Sequence, residues 1–300
     1  MSNDAKLEGV VVPMVTPLTT AGGLDFAAAD RLVEFLLAGG VHGVFVLGTT
    51  GEGVAVPPGL RLRLVEHTAH RVGGRALLYA GLGHAPDARQ TPANDCFQAG
   101  ADAVVAHPPV GFEPTRLLAW YETLLERLTG PLILYNIPSV ARVSIPLDLL
   151  TRLIGHPRLA GVKDSENDRP RLSRLLRQFG RRSGFSVFVG VGALMEEGLR
   201  LGAQGIVPSV GNLDPATCRD LFVSAKRGDW AAARRHAERL KALAALYQNG
   251  RTLGESLATL KAALHCLGLC EPCVLPPLQP LTGAEMATLR HQMARLHLLN

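Results

Sequence analysis

A chain of 300 residues with 47% apolar content is long enough to bury a large core, as one large α/β domain or two small ones. Charged residues at 19% and a net charge of +5 argue against disorder and are at most compatible with an anionic ligand. No apolar run approaches the ~20 residues that cross a bilayer, and Met1-Ser-Asn-Asp-Ala-Lys6 lacks the apolar segment of a secretory leader, so a cytoplasmic protein with no membrane partner is expected.

Short apolar runs of strand length recur at residues 10–15, 44–47, 76–79, 103–106, 132–135, 160–162, 186–189 and 205–207. Between them, apolar residues fall three and four apart, as in Leu117, Leu118, Tyr121, Leu124, Leu125 and Leu128, the mark of amphipathic helices. Strand and helix in alternation imply a parallel sheet, whose strands are covered on both faces and therefore read as unbroken apolar runs. Eight such units in roughly 210 residues suit a closed (β/α)8 barrel. A doubly wound sheet is the alternative. Its glycine fingerprint belongs after the first strand, whereas Gly190-Val-Gly192-Ala-Leu-Met195 follows the seventh and lacks the third glycine. Helical patterns at about 214–225, 230–247, 252–265 and 282–298 exceed what a barrel requires. The expected layout is a barrel over 1–212, then the last barrel helix and a helical extension packed on the barrel over 213–300.

Two clusters invite other readings. Arg169, Arg171, Arg174 and Arg177 alternate with leucines at helical spacing, which reads as a solvated helix face and not as a nucleic-acid surface. Cys266, Cys270 and Cys273, beside His265, have C-x3-C-x2-C spacing without the distant second ligand pair of a zinc module. Buried thiols packing a helix end are expected there, and no metal.

In a parallel barrel the chemistry sits at the C-terminal strand ends. The second strand ends in Gly48-Thr49-Thr50-Gly51-Glu52, the fifth in Tyr135-Asn136-Ile137-Pro138, and the sixth in Lys163-Asp164-Ser165. The amine of Lys163, at the end of an apolar strand, is partly stripped of water and suited to attack a ketone, giving a Schiff base that activates bonds beta to it without a metal or organic cofactor. The competing account pairs this lysine with Asp164 or Glu166. Tyr135, on the neighbouring strand, could move protons for the carbinolamine and enamine, or be an ordinary core tyrosine. Glycines and hydroxyls at 48–51, with a helix start near Pro57, could hold a carboxylate, and Glu52 reads as a clasp for that loop. Gly190 and Gly192, with Ser209 to Asn212, after strands seven and eight, could bind a phosphate or line the distal half of a keto-acid cavity, and Val207, at the end of the eighth run, is a further candidate for substrate binding.

Taken together these motifs resemble the dihydrodipicolinate synthase / N-acetylneuraminate lyase family of class I aldolases, from about Gly9 to the C-terminal helices. The resemblance implies a (β/α)8 barrel with C-terminal helices, a homo-oligomer (dimer or tetramer), and pyruvate or 2-keto-3-deoxy sugar acids as substrates. It gives Lys163 the Schiff base, Tyr135 the proton relay, and Thr49 and Thr50, with Gly48, the carboxylate. Two departures weigh against a true dihydrodipicolinate synthase. Where synthases carry adjacent tyrosines this chain has His107-Pro108-Pro109-Val110, and where they carry a carboxylate-binding arginine it has Val140, with Arg142 two residues on. His107, Val140, Arg142 and Gly192 are therefore candidate specificity residues. The expectation is a lyase, aldolase or dehydratase. The alternatives are a synthase with rearranged specificity residues and a barrel that binds a keto acid without turnover.

Overall fold

The computed structural model describes residues 7–83 and 93–299; the leader-free reading of residues 1–6 lies outside them. Eight parallel strands pair in chain order and close on themselves. They are β1 (Gly9–Pro13), β2 (Gly43–Val46), β3 (Leu77–Gly81), β4 (Ala103–Ala106), β5 (Leu132–Asn136), β6 (Leu159–Asp164), β7 (Ser186–Val189) and β8 (Gly205–Ile206). Helices α1 (Phe26–Ala38), α2 (Pro58–Val72), α3 (Ala93–Gln98), α4 (Leu117–Arg127), α5 (Pro138–Ala141), α6 (Leu147–Leu153), α7 (Arg169–Phe179) and α8 (Met195–Arg200) lie between them. The (β/α)8 expectation holds.

The strands are largely apolar on both faces because the two faces meet different cores. Val10, Val12, Val44, Val46, Val162 and Val187 point outward to the helices. Val11, Phe45, Tyr79, Ile133, Tyr135, Phe188 and Val207 fill the barrel interior. Alternate side chains on a strand face opposite ways, so this division fixes which residues see the barrel axis. Six of the eight strands depart by one or two residues from the apolar runs that announce them, and two show why. β1 stops at Pro13: Met14 N–H still donates to the Phe45 carbonyl at 3.0 Å, but Val15 N–H turns to the side-chain oxygen of Asn212 at 3.2 Å. β6 continues through Lys163 and Asp164, whose polarity hides the strand's end in the sequence.

Beyond β8 come α9 (Pro215–Lys226), α10 (Trp230–Gln248), α11 (Leu253–Cys266) and α12 (Gly283–Arg295). Their starts are written locally. Asp214 and Asp229 cap α9 and α10 through side-chain oxygens, and Thr252 and Thr282 form capping boxes with Glu255 and Glu285. α12 ends three residues before the expected 298, where His297 adopts a left-handed conformation (φ 56°). α9 packs on β1, α10 on α9, α11 on α10, and α12 on α11, so the extension is a stack leaning on one side of the barrel.

Leu264, fully buried in α11, probes whether this stack and the barrel unfold together. Leu264→Ala should cost about 2–5 kcal/mol. In urea, a lowered midpoint of one shared transition is expected; two separated transitions would show the stack to be an independent unit.

Candidate active site

β5 and β6 set the site. Tyr135 pairs with Lys163 in register, and Lys163 with Phe188 of β7, so all three face the interior. Lys163 is 6% exposed. Its Nζ lies 3.8 Å from the centroid of the Tyr135 ring and 5.0 Å from that of Phe45. The carboxylates next to it in sequence face away. Arg171 Nε stands 2.9 Å from Asp164 Oδ2 and 3.2 Å from Glu166 Oε2. Asn136 Nδ2 donates to the same two oxygens at 3.1 and 2.9 Å, and Ser144 donates to Glu166 at 2.6 Å. A lysine paired with Asp164 or Glu166 is thus not what the chain builds. Arg171 corrects a second expectation, since it is buried instead of belonging to a solvated helix face. Burial raises the Asp164 carboxyl above its ordinary value, and Arg171 with the other donors offsets this only in part.

Tyr135, 5% exposed, is subject to opposing effects. Burial pushes its phenol up, while the charge of Lys163 and hydrogen bonds with Thr49, Lys163 and Ser165 push it down, and the net position is below that of an ordinary phenol. A phenol in such surroundings can give and take a proton beside an amine. Ser165 was not singled out from the sequence, yet it lies two residues beyond Lys163 and hence on the same strand face. Gly190 contributes space: a Cβ there would collide with the Ser165 hydroxyl and stand 3.1 Å from Lys163 Cε.

The turn after β2 is tightly held. Leu47 and Glu52 both have left-handed backbones, φ 59° and 54°. The carbonyl of Leu47 packs where a Cβ of Gly53 or Gly81 would otherwise sit, so neither position admits a side chain. The Thr16 hydroxyl donates to the Gly51 carbonyl. Glu52, read as a clasp, reaches the C-terminal stack: its Oε1 is 2.6 Å from Lys261 Nζ, and its Oε2 accepts from Leu275 N–H at 2.6 Å. Thr49 and Thr50 are half-buried on this turn, and α2 starts at Pro58.

Two cavities lie near this pair: Tyr135 borders one, and the other is reached through Gly190, beside Lys163, which itself lines neither. One, of about 190 Å³, is bounded by Gly48, Thr49, Tyr135, His107 and Val140 and walled on its far side by Leu253, Leu257 and Pro276 of the extension. The other, of about 360 Å³, is lined by Gly190, Gly192, Ser209, Lys241 and Tyr247. The Ser209 hydroxyl is 2.8 Å from that of Tyr247. Val207 lies in the interior cluster, beside the small space that Lys163 lines. His107 Nδ1 lies 2.8 Å from the Pro108 carbonyl, which only accepts, so that nitrogen carries the proton. Its ring meets that of Tyr135 edge-on at 6.0 Å. Arg142 is exposed at the left-handed end of α5 and lines neither cavity. Of the three clustered cysteines only Cys270 is buried, its thiol pushed by burial up to about 12, while Cys266 and Cys273 are half-buried, so the expectation of buried thiols holds for one of the three. Among the described residues no three His, Cys, Asp or Glu side chains are arranged to hold a metal.

A buried amine facing a hydrogen-bonded phenol at the C-terminal mouth of a parallel barrel is the arrangement of a Schiff-base lyase. The chain belongs to the Dihydrodipicolinate synthetase family, whose model matches residues 6–296, and whose members are class I lyases that bind pyruvate covalently on lysine without a metal. A 4-hydroxy-tetrahydrodipicolinate synthase of Corynebacterium aurimucosum is 32% identical, covering 97% of this chain and 95% of its own. An uncharacterized DapA-like lyase of Halobacterium salinarum is also 32% identical, covering 98% and 95%. Among solved structures, the dihydrodipicolinate synthase of Bacteroides thetaiotaomicron superimposes with a TM-score of 0.90 at 32% identity, over 96% of this chain and 98% of that one. A prophage protein of E. coli K12 belonging to the same family, in complex with pyruvate, gives 0.90 at 26% identity, over 98% and 100%.

The hydrogen bond with Thr49 helps hold the Tyr135 phenol down. Removing it in Thr49→Val removes a stabiliser of the phenolate, so the Tyr135 titration should move to higher pH. The phenolate absorbance of this variant, with Tyr135→Phe as the blank, checks the sign.

Proposed function

We propose that the protein is a lyase acting on pyruvate or a 2-keto-3-deoxy sugar acid through an imine on Lys163, the sugar acid being the one it cleaves or dehydrates. The observation that carries the reading is the buried Lys163 amine 3.8 Å from the Tyr135 ring, with both sequence-adjacent carboxylates held elsewhere by Arg171. The amine attacks C2 of the keto acid, and the carbinolamine loses water to give the imine. Once protonated, the imine draws electrons from the bond between C3 and C4, or from the C–H bond at C3.

In an aldolase, the Tyr135 phenolate takes the proton of the C4 hydroxyl as the C3–C4 bond breaks, an aldehyde leaves, and the resulting enamine is reprotonated at C3 before hydrolysis frees pyruvate. In a dehydratase, the proton on C3 leaves and the C4 hydroxyl departs as water, protonated by His107 or a serine. Gly48, Thr49 and Thr50 hold the substrate carboxylate with the backbone amides of the turn. Gly190, Gly192, Val207 and Ser209 line the side where the rest of the substrate lies, and His107 and Val140 shape the mouth. We assign Arg142 no contact with the substrate. A homo-oligomer, dimer or tetramer, working in the cytoplasm fits the family.

The reading in which the protein is a synthase condensing pyruvate with aspartate semialdehyde draws on the names of several relatives. Val140 opposes it, because an apolar side chain at that wall offers nothing to the aldehyde's carboxylate. Turnover of that pair is expected to be feeble beside that of 2-keto-3-deoxy acids. Any turnover above the Lys163→Ala background would dismiss a pure binding protein.

Borohydride reduction in the presence of pyruvate, followed by peptide mass mapping, should place the adduct on Lys163 and leave Lys163→Ala unmodified. An adduct elsewhere, or none, overturns the reading. Tyr135→Phe should lower kcat by about 10²–10⁴ while still forming some imine; an unchanged kcat would remove the phenol from the mechanism.

A further inference from the structure

The Glu52–Lys261 pair is unusual for its depth. The two side chains are 2% and 1% exposed. Lys261 Nζ also donates to the Cys273 carbonyl at 2.6 Å, and Leu275 N–H donates to the other oxygen of Glu52. A buried ion pair is poor value as a stabiliser, since taking both charges out of water offsets their attraction and an apolar pair of similar volume often does as well. What such a pair does provide is direction: the ion-pair contact, the Lys261 hydrogen bond to the Cys273 carbonyl and that of Leu275 N–H to Glu52 Oε2 are met together in one geometry. Here that geometry belongs to the turn carrying Gly48, Thr49 and Thr50. Glu52 closes this turn in a left-handed conformation, and Thr49 is hydrogen-bonded with Tyr135.

Glu52 also borders the cavity that Thr49 and Tyr135 line. Without its partner, this carboxylate would repel an anionic substrate through a low-dielectric wall. We infer that Lys261 of α11 is a positioning residue of the reaction: it neutralises Glu52 and clamps the turn from behind, so that the turn's amides and the Thr49 hydroxyl are set for the keto-acid carboxylate and the Tyr135 phenol. The C-terminal stack thereby takes part in substrate binding without touching the substrate.

The inference rests on the Schiff-base reading above, and the two fail differently. If wild-type protein is not trapped by borohydride with pyruvate, the reading itself falls and the inference with it. If it is trapped, the clamp is tested alone. Lys261→Met strands a buried carboxylate and could fail to fold, so the decisive variant is the neutral pair Glu52→Gln with Lys261→Met. Folded, it should show a KM for a 2-keto-3-deoxy sugar acid raised about tenfold or more, with kcat changed less than about threefold. Its Tyr135 titration should move to higher pH as the Thr49 contact loosens. A folded double variant with wild-type KM and wild-type Tyr135 titration overturns the inference.

A second measurement needs no variant. In wild-type protein, pyruvate at about a hundred times its Kd should slow hydrogen exchange of the Leu275 amide by up to about a hundredfold, because that amide is released only when the clamp opens. Leu275 protection no greater than that of amides in α4 also overturns it.

Discussion

The site depends on alternation along β6. Successive side chains of a strand face opposite ways, so Lys163 enters the barrel while Asp164 leaves it, and the register with β5 puts Tyr135 next to the amine. Outside the barrel, Arg171, Asn136 and Ser144 take up Asp164 and Glu166. The interior is left with an amine facing aromatic rings and hydroxyls. Had the carboxylates been free to swing inward, the amine would be held as half of an ordinary ion pair and would be a poor nucleophile.

Around this centre the barrel supplies rigidity and the turns supply donors. The strands are short, from two to six residues, and their two apolar faces lock them between an inner cluster and the helices. The turn after β2 carries two left-handed non-glycine residues, a local cost of order 1–3 kcal/mol each that the surrounding contacts must hold in place. Glu52 is one of those residues, which explains why its anchor lies deep in the protein instead of at the surface.

Much of this was legible in the sequence. Parallel strands announce themselves as unbroken apolar runs, and the capping residues of the last four helices are local, so the element order could be read directly and most boundaries to within one or two residues. Lys163 and Tyr135 stood out because each is polar at the end of such a run. The direction in which Lys163 points was not legible, because a strand apolar on both faces shows no period of two. Ser165 could have been found by stepping two residues from Lys163. Arg171 was misread because its partners arrive from β6 and the loops after β5 and β6, and nothing in the helix pattern reveals them. Lys261 left no sequence signal, since its meaning appears only when α11 docks behind a turn far away in the chain.

The walls of the smaller cavity come from two distant parts of the chain: the strand ends, which carry the reactive groups, and residues around Leu253 and Pro276, which carry none. Shape and reactivity are therefore encoded separately. A change in the tail of the polypeptide alters what fits without disturbing the amine or the phenol, so a single reactive centre is open to being paired with many different contours by substitutions that never approach it.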